Sequence, residues 1–159
     1  MTQIVNADLS NPRHAAAIVE LLNEYAMDAM GGGQELADFV KANLITALGK
    51  RSDVHVVLAF ADDEPAGLAI CIEGFSTFAC QPLLNIHDLA VAGKFRGRGI
   101  SRLLIQQVER VALGLGCCKI TLEVLSGNQP ARALYQSTGF VGYELNPAMG
   151  QALLLQKKL

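Results

Sequence analysis

Hydrophobic positions along this 159-residue chain change period several times, and each change marks an element. Ile4 and Val5 open a short strand. Asn11 followed by Pro12 reads as a helix start, a cap and then a first-turn proline, and Ala15, Ala16, Ile18, Val19 and Leu22 carry an apolar stripe to about Met27. Gly31-Gly32-Gly33 breaks the pattern as a loop or lid. A second helical stretch from Gln34 to Leu48 sets Leu36, Phe39, Val40, Leu44 and Leu48 along one side. His55 to Ala61 is β-branched and apolar, Asp62 to Pro65 is a polar turn, and Gly67 to Ile72 is apolar again, which predicts an antiparallel hairpin. A connection from Glu73 to Pro82 carries Phe75, Phe78 and Cys80, and Leu84 to Val91 is the next strand. Ile100, Leu103, Leu104, Val108, Val111 and Leu115 then recur at helical spacing up to the Gly114 to Gly116 pair. Lys119 to Leu125 alternates apolar and polar as a half-buried strand does. Asn128 caps a short helix to about Ser137, and Phe140 to Tyr143 and Ala152 to Leu155 read as two closing strands around an Asn146-Pro147 turn. The expectation is α/β, with a mixed central sheet of about six to seven strands flanked by helices.

Composition narrows the class. A length of 159 residues with 51% hydrophobic residues is that of one domain spanning 1–159, large enough to bury a core without disulfides or a structural metal. Thirteen Lys plus Arg against fifteen Asp plus Glu leave a formal charge of -2, which argues against nucleic acid as a partner. No apolar run approaches the ~20 residues of a spanning helix, and the start of the chain lacks the basic and apolar pattern of a secretory signal. A cytoplasmic location without membrane attachment is expected. Cys71, Cys80, Cys117 and Cys118 form no Cys-x-x-Cys pair, so they predict free thiols and no metal site.

Candidate chemistry concentrates in Lys94-Phe95-Arg96-Gly97-Arg98-Gly99-Ile100-Ser101-Arg102, between a strand and a helix start. Five of the thirteen basic residues fall between Lys94 and Arg110. Two glycines allow a tight turn with N–H groups directed inward, and the helix start adds unpaired donors and a positive dipole end. An anion site is the expectation. Arg96, Arg98 and Arg102 at a helix N-terminus destabilise it unless something negative binds. There is no Gly-x-x-x-x-Gly-Lys-Ser/Thr string, no third glycine of a dinucleotide fingerprint, no His-Glu-x-x-His and no Gly-x-Ser-x-Gly. Downstream, Asn128 and Tyr135 stand two helical turns apart and share a face if both count as helical. Taken singly, Asn128 is an ordinary cap and Tyr135 lies on an apolar stripe with Ala131 and Leu134.

Together the two segments resemble the GNAT superfamily of acyl-CoA-dependent N-acetyltransferases. Arg96-Gly97-Arg98-Gly99-Ile100-Ser101 matches its Gln/Arg-x-x-Gly-x-Gly/Ala loop except at Ser101. Asn128, Ala131, Leu134, Tyr135, Gly139 and Phe140 match its Asn-x-x-Ala-x-x-Leu-Tyr-x-x-x-Gly-Phe pattern. The resemblance covers Leu84 to Phe140 and implies a GNAT fold with acetyl-CoA as co-substrate and no metal. It implies that backbone N–H groups from Arg98 to Arg102 hold the pyrophosphate and that pantetheine runs beside Leu89, Ala90 and Val91. Asn128 is then expected on the pantetheine arm and Tyr135 at the thioester sulfur.

The reaction itself requires a proton acceptor for the amine, a proton donor for the thiolate and a donor to the oxyanion. Plain alternation puts Asn85, His87 and Leu89 on one strand face and Asp88 on the other. His87 also resembles a strand histidine of arylalkylamine acetyltransferases, which makes it the candidate base; as an ordinary strand-end residue it would instead bond the backbone. The expected substrate is a small-molecule amine, which predicts a closed pocket around Phe75, Phe78 and the triple-glycine loop. Protein or peptide acetylation predicts a long open groove, and a non-catalytic acyl-CoA-binding module predicts no turnover. The pattern leaves a homodimer open.

Overall fold

A computed structural model describes residues 1–143 and 146–159. Its elements are β1 (Thr2–Asn6), α1 (Pro12–Met27), α2 (Asp38–Gly49), β2 (Val54–Ala61), β3 (Glu64–Ser76), β4 (Gln81–Val91), α3 (Ile100–Gly114), β5 (Ile120–Leu122) and α4 (Gln129–Ser137). The strands form one sheet in the order β1-β2-β3-β4-β5. The first four pair antiparallel and β5 joins parallel to β4, so the sheet is mixed.

Local chemistry explains the boundaries. Asn11 caps α1 through an acceptor bond from the Arg13 N–H, with Pro12 in the first turn where its missing N–H costs nothing. Asp62 and Asp63 both take positive φ, 52° and 66°, the geometry that lets a two-residue turn follow the twist of β2 and β3. Ala17, Ile18 and Leu21 of α1 are buried, as are Ile100, Leu104, Ile105, Val108 and Ala112 of α3. Each such side chain contributes roughly 1.5–3 kcal/mol if aliphatic and large. Helix α3 lies close on β3: a Cβ at Gly67 would stand 3.1 Å from Leu104 Cδ1 and 2.9 Å from the Ala90 carbonyl oxygen.

Three expectations are corrected. Among the described residues the sheet has five strands, fewer than the expected six to seven, because Phe140 to Tyr143 and Ala152 to Leu155 are not strands. An apolar run becomes a strand only where a ladder partner satisfies its backbone. Leu153, Leu154 and Leu155 remain exposed. For the same reason β5 spans three residues, those opposite Leu84 to Ile86, and stops short of Val124 and Leu125. Helix α2 begins at Asp38 where Gln34 was expected, because the preceding backbone is tied elsewhere: Gln34 N–H donates to the Ala26 carbonyl and Leu36 N–H to Asn23 Oδ1. None of its side chains is fully buried, and Phe39 is 76% exposed.

Candidate active site

β4 and β5 pair only from Leu84 to Ile86, so beyond Ile86 the β4 edge that faced β5 carries no ladder. Asn85 Nδ2 fastens the fork, donating to Thr121 Oγ1 at 3.0 Å. Ala92 N–H donates inward to the Ala66 carbonyl. Because consecutive residues turn their backbone groups to opposite edges of a strand, Val91 and Leu89 present N–H and C=O to the open side, and Ala90 turns inward.

A bulge shapes the same stretch. In the β3–β4 register Cys71 stands opposite Ile86 and Ile70 opposite Asp88, which leaves His87 as the extra residue. Directly paired residues share a face, so Asn85 and Asp88 lie with Ile72 and Ile70, while Ile86 and Leu89 lie with Cys71 and Ala69. The expected sharing of one face by Asn85, His87 and Leu89, with Asp88 opposite, is therefore not kept. His87 is exposed at the bulge. Asp88 is partly buried, and desolvation raises its carboxyl pKa against a smaller lowering from His87. On α1, Tyr25 has its pKa raised first by burial and then by the charges of Asp88 and Asp28. Tyr135 on α4 is raised by burial and then by Tyr25. Tyr25 on α1 is thus the group that feels Asp88 of β4 and is felt by Tyr135 of α4. Sequence reading set Asp88 on the opposite face and gave Tyr25 no role, since neither the bulge nor the α1 contact leaves a local motif.

The glycine loop follows. Gly97 and Gly99 take φ of 77° and 78°, and Gly99 caps α3 without a side-chain bond. Phe95 and Arg96 donate their N–H groups to the Ala92 and Gly93 carbonyls, and Arg102 and Leu103 donate theirs to Gly99. Between them, the N–H groups of Gly97, Arg98, Gly99, Ile100 and Ser101 have no protein acceptor among the described residues, and Arg102's N–H is already engaged. Most of the charged side chains, in contrast, have protein partners, and Arg98 has the loosest. Arg96 donates to Asp28 Oδ2 at 2.9 Å and to the Val91 carbonyl at 3.2 Å. Arg98 lies 3.9 Å from Asp62, Lys94 pairs with Glu64, and Arg102 donates to Ser137 Oγ at 2.8 Å. The donors this loop leaves free are its backbone N–H groups.

On α4, Asn128 is a cap, its Oδ1 accepting from Ala131 N–H at 3.2 Å, and Tyr135 packs edge-on against Phe140 with centroids 5.7 Å apart. A groove of about 980 Å³ runs between α3, β5 and α4, reaching Cys117, Arg132 and Tyr135. The closed pocket expected around Phe75 and Phe78 is not formed by these two side chains, which are 60% and 94% exposed. Among the described residues there is no cluster of three His, Cys, Asp or Glu that could hold a metal, and no helix is long and apolar enough to cross a membrane.

The fold is thus an α/β sheet forked at its parallel strand, beside a row of backbone donors at a helix start of the kind that suits an anion. A family model described as the acetyltransferase (GNAT) family matches residues 16–140, and the chain belongs to that family. It is therefore an acyltransferase of a family whose members use acetyl-CoA. The chain is 30% identical over 132 residues to thialysine N-epsilon-acetyltransferase of Caenorhabditis elegans, covering 78% of this chain and 82% of that one. The same-named protein of Bos taurus is 32% identical over 117 residues, 67% and 69% of the two chains. The solved structure of AAC(6')-Iy in complex with the bisubstrate analog CoA-S-monomethyl-acetylneamine has a similar fold, with a TM-score of 0.77, 18% identity, and 100% and 99% of the two chains covered.

Proposed function

We propose that this chain moves the acetyl group of acetyl-CoA to a primary amine of a small molecule by direct attack in a ternary complex. The observation that carries the reading is the open β4 edge beyond Ile86, which leads directly into the loop whose Gly97 to Ser101 N–H donors are unpaired. The pyrophosphate fits the donors. The pantetheine arm fits beside Leu89, Ala90 and Val91, and the Asn128 amide NH2 remains to contact it. A relative named for thialysine and a fold neighbour bound to a CoA–acetylneamine analog favour a small amine.

The protons balance as follows. An amine of ordinary lysine basicity, pKa about 10.4, is protonated at neutral pH. Asp88 takes the first proton from the ammonium, and exposed His87 beside it passes that proton to water. The nitrogen lone pair forms the C–N bond as the C–S bond breaks, with a β4 N–H stabilising the oxyanion by ~3 kcal/mol. Tyr135, kept protonated by burial, donates to the departing thiolate and is reprotonated by the second proton leaving the nitrogen. One proton reaches solvent per turnover.

A peptide amine is the second reading, favoured by the exposure of Phe78. A mass-resolved acetyl-transfer screen over amines, amino acids, aminoglycosides and peptides decides between them. Small amines should dominate, and Tyr135→Phe should lower single-turnover rates ~10²-fold or more with little loss of stability. Acetylation of peptides alone establishes the second reading, and no transfer to any acceptor leaves a binding module.

A further inference from the structure

Arg96 opens the glycine loop, yet its side chain is directed away from the loop's donors. It bridges the β4 edge to the far end of α1 through two bonds, Nε to the Val91 carbonyl at 3.2 Å and Nη2 to Asp28 Oδ2 at 2.9 Å. Asp28 is the organiser of the loop that joins α1 to α2. Its other carboxylate oxygen accepts from Met30 N–H at 2.9 Å, and its backbone carbonyl accepts from Gly31 N–H at 2.9 Å and Gly33 N–H at 3.0 Å. Bonding from Met30 and from Arg96, in that order, holds the Asp28 carboxyl below the usual carboxylate range, so the pair is charged at neutral pH. The neighbouring residue Glu24 makes a parallel tie, Oε1 accepting from Gly93 N–H at 2.7 Å. The triple-glycine loop, which has φ of 118° at Gly32 and 73° at Gly33 and little side-chain packing of its own, is thereby anchored to the cofactor loop. That loop borders Tyr25, whose carbonyl oxygen a Cβ at Gly31 would strike, and Tyr25 in turn feels the charges of Asp88 and Asp28.

We propose that Arg96 is a positioning residue for the acceptor amine: through Asp28 it holds the Asp28 to Gln34 loop over the acceptor end of the site, while the cofactor phosphates are held by backbone N–H groups without it. The inference rests on the acetyl-transfer reading for the identity of the two sites, but the strut itself does not. It reverses the natural assignment of an arginine in such a loop to phosphate. Exposed ion pairs are individually weak. The significance here lies in where the pair is attached, at the residue on which the N–H groups of Met30, Gly31 and Gly33 converge.

The experiment uses the full chain with CoA itself as the cofactor probe, and follows amide hydrogen exchange at Met30, Gly31 and Gly33. With side chains 57% and 26% exposed, Arg96 and Asp28 should tolerate substitution without unfolding, which thermal melts check. Arg96→Ala should leave the CoA dissociation constant within about threefold and speed exchange at the three amides at least fivefold. Asp28→Asn should do the same, the double variant should add nothing further, and Arg96→Lys should restore part of the protection. With the amine identified in the acetyl-transfer screen, KM for the amine should rise more than KM for acetyl-CoA. A tenfold or greater loss of CoA affinity in Arg96→Ala that Asp28→Asn does not share overturns the proposal and makes Arg96 a phosphate ligand. Unchanged exchange in both variants overturns it as well. Failure of CoA to bind the unaltered protein would instead count against the acetyl-CoA reading, and the exchange results would still judge the strut.

Discussion

Asp88 pays for its position in stability, and the sign of that cost is measurable. Its carboxyl pKa is raised in the folded protein because burial disfavours the anion. The folded state therefore holds the proton more tightly than the unfolded chain, whose aspartates titrate near the ordinary ~3.9. Stability from this group is fully present below that value and is lost as pH rises through the raised folded pKa. Asp88→Asn removes the loss. Its melting temperature should equal or exceed that of the parent at pH 7, the advantage should disappear by about pH 3.5, and acetyl transfer should fall at least tenfold. Paired melts across that range with single-turnover rates check this, and a variant that is less stable at pH 7 with undiminished transfer would remove Asp88 from the proton path. Cys71 of β3 feels the same charge, and burial first, then Asp88, pushes its thiol up to about 12. It is unreactive at physiological pH and belongs to the core.

At the scale of elements, helix α3 and its loop were legible because the signals are local: a stripe at helical spacing, two glycines, a strand before them. The bulge in β4 was not. One extra residue reverses the face of everything beyond it, and no residue type announces it, so His87 stood out in the sequence while Asp88 was turned the wrong way. The partner of Arg96 lies 68 positions away, which no spacing rule connects. The closing strands failed for a related reason, since an apolar run shows capacity to pair but not the presence of an edge. Gly99 permits a sharper test of the legible part. Its φ of 78° makes any side chain there strained by roughly 1–2 kcal/mol. Gly99→Ala and Gly99→Glu should lose similar stability, yet only Gly99→Glu, with a charge directed at the donors, should abolish CoA binding. Equal CoA affinity in the two variants would mean that the phosphates lie elsewhere.

At the scale of the whole molecule, the antiparallel β1–β4 sheet with α1 and α3 forms the buried core, while β5 and α4 are joined to it lightly. The β4–β5 ladder has three residue pairs, supplemented by Asn85 on Thr121 and by Arg102 on Ser137. A ligand lying in the fork would touch both parts and add contacts that the free protein lacks. At a hundredfold excess over its dissociation constant, acetyl-CoA should stabilise the fold by ~2.7 kcal/mol through mass action alone. For a chain of this size that corresponds to a rise in melting temperature of about 5–10 °C. The rise should be shared by β5 and α4, so exchange at Thr121 and Leu134 amides should slow together with the core. A rise of the same size with pyrophosphate or heparin would reduce the site to a general anion trap. A shift confined to the loop, with β5 and α4 exchanging as before, would mean that the pantetheine arm does not occupy the fork.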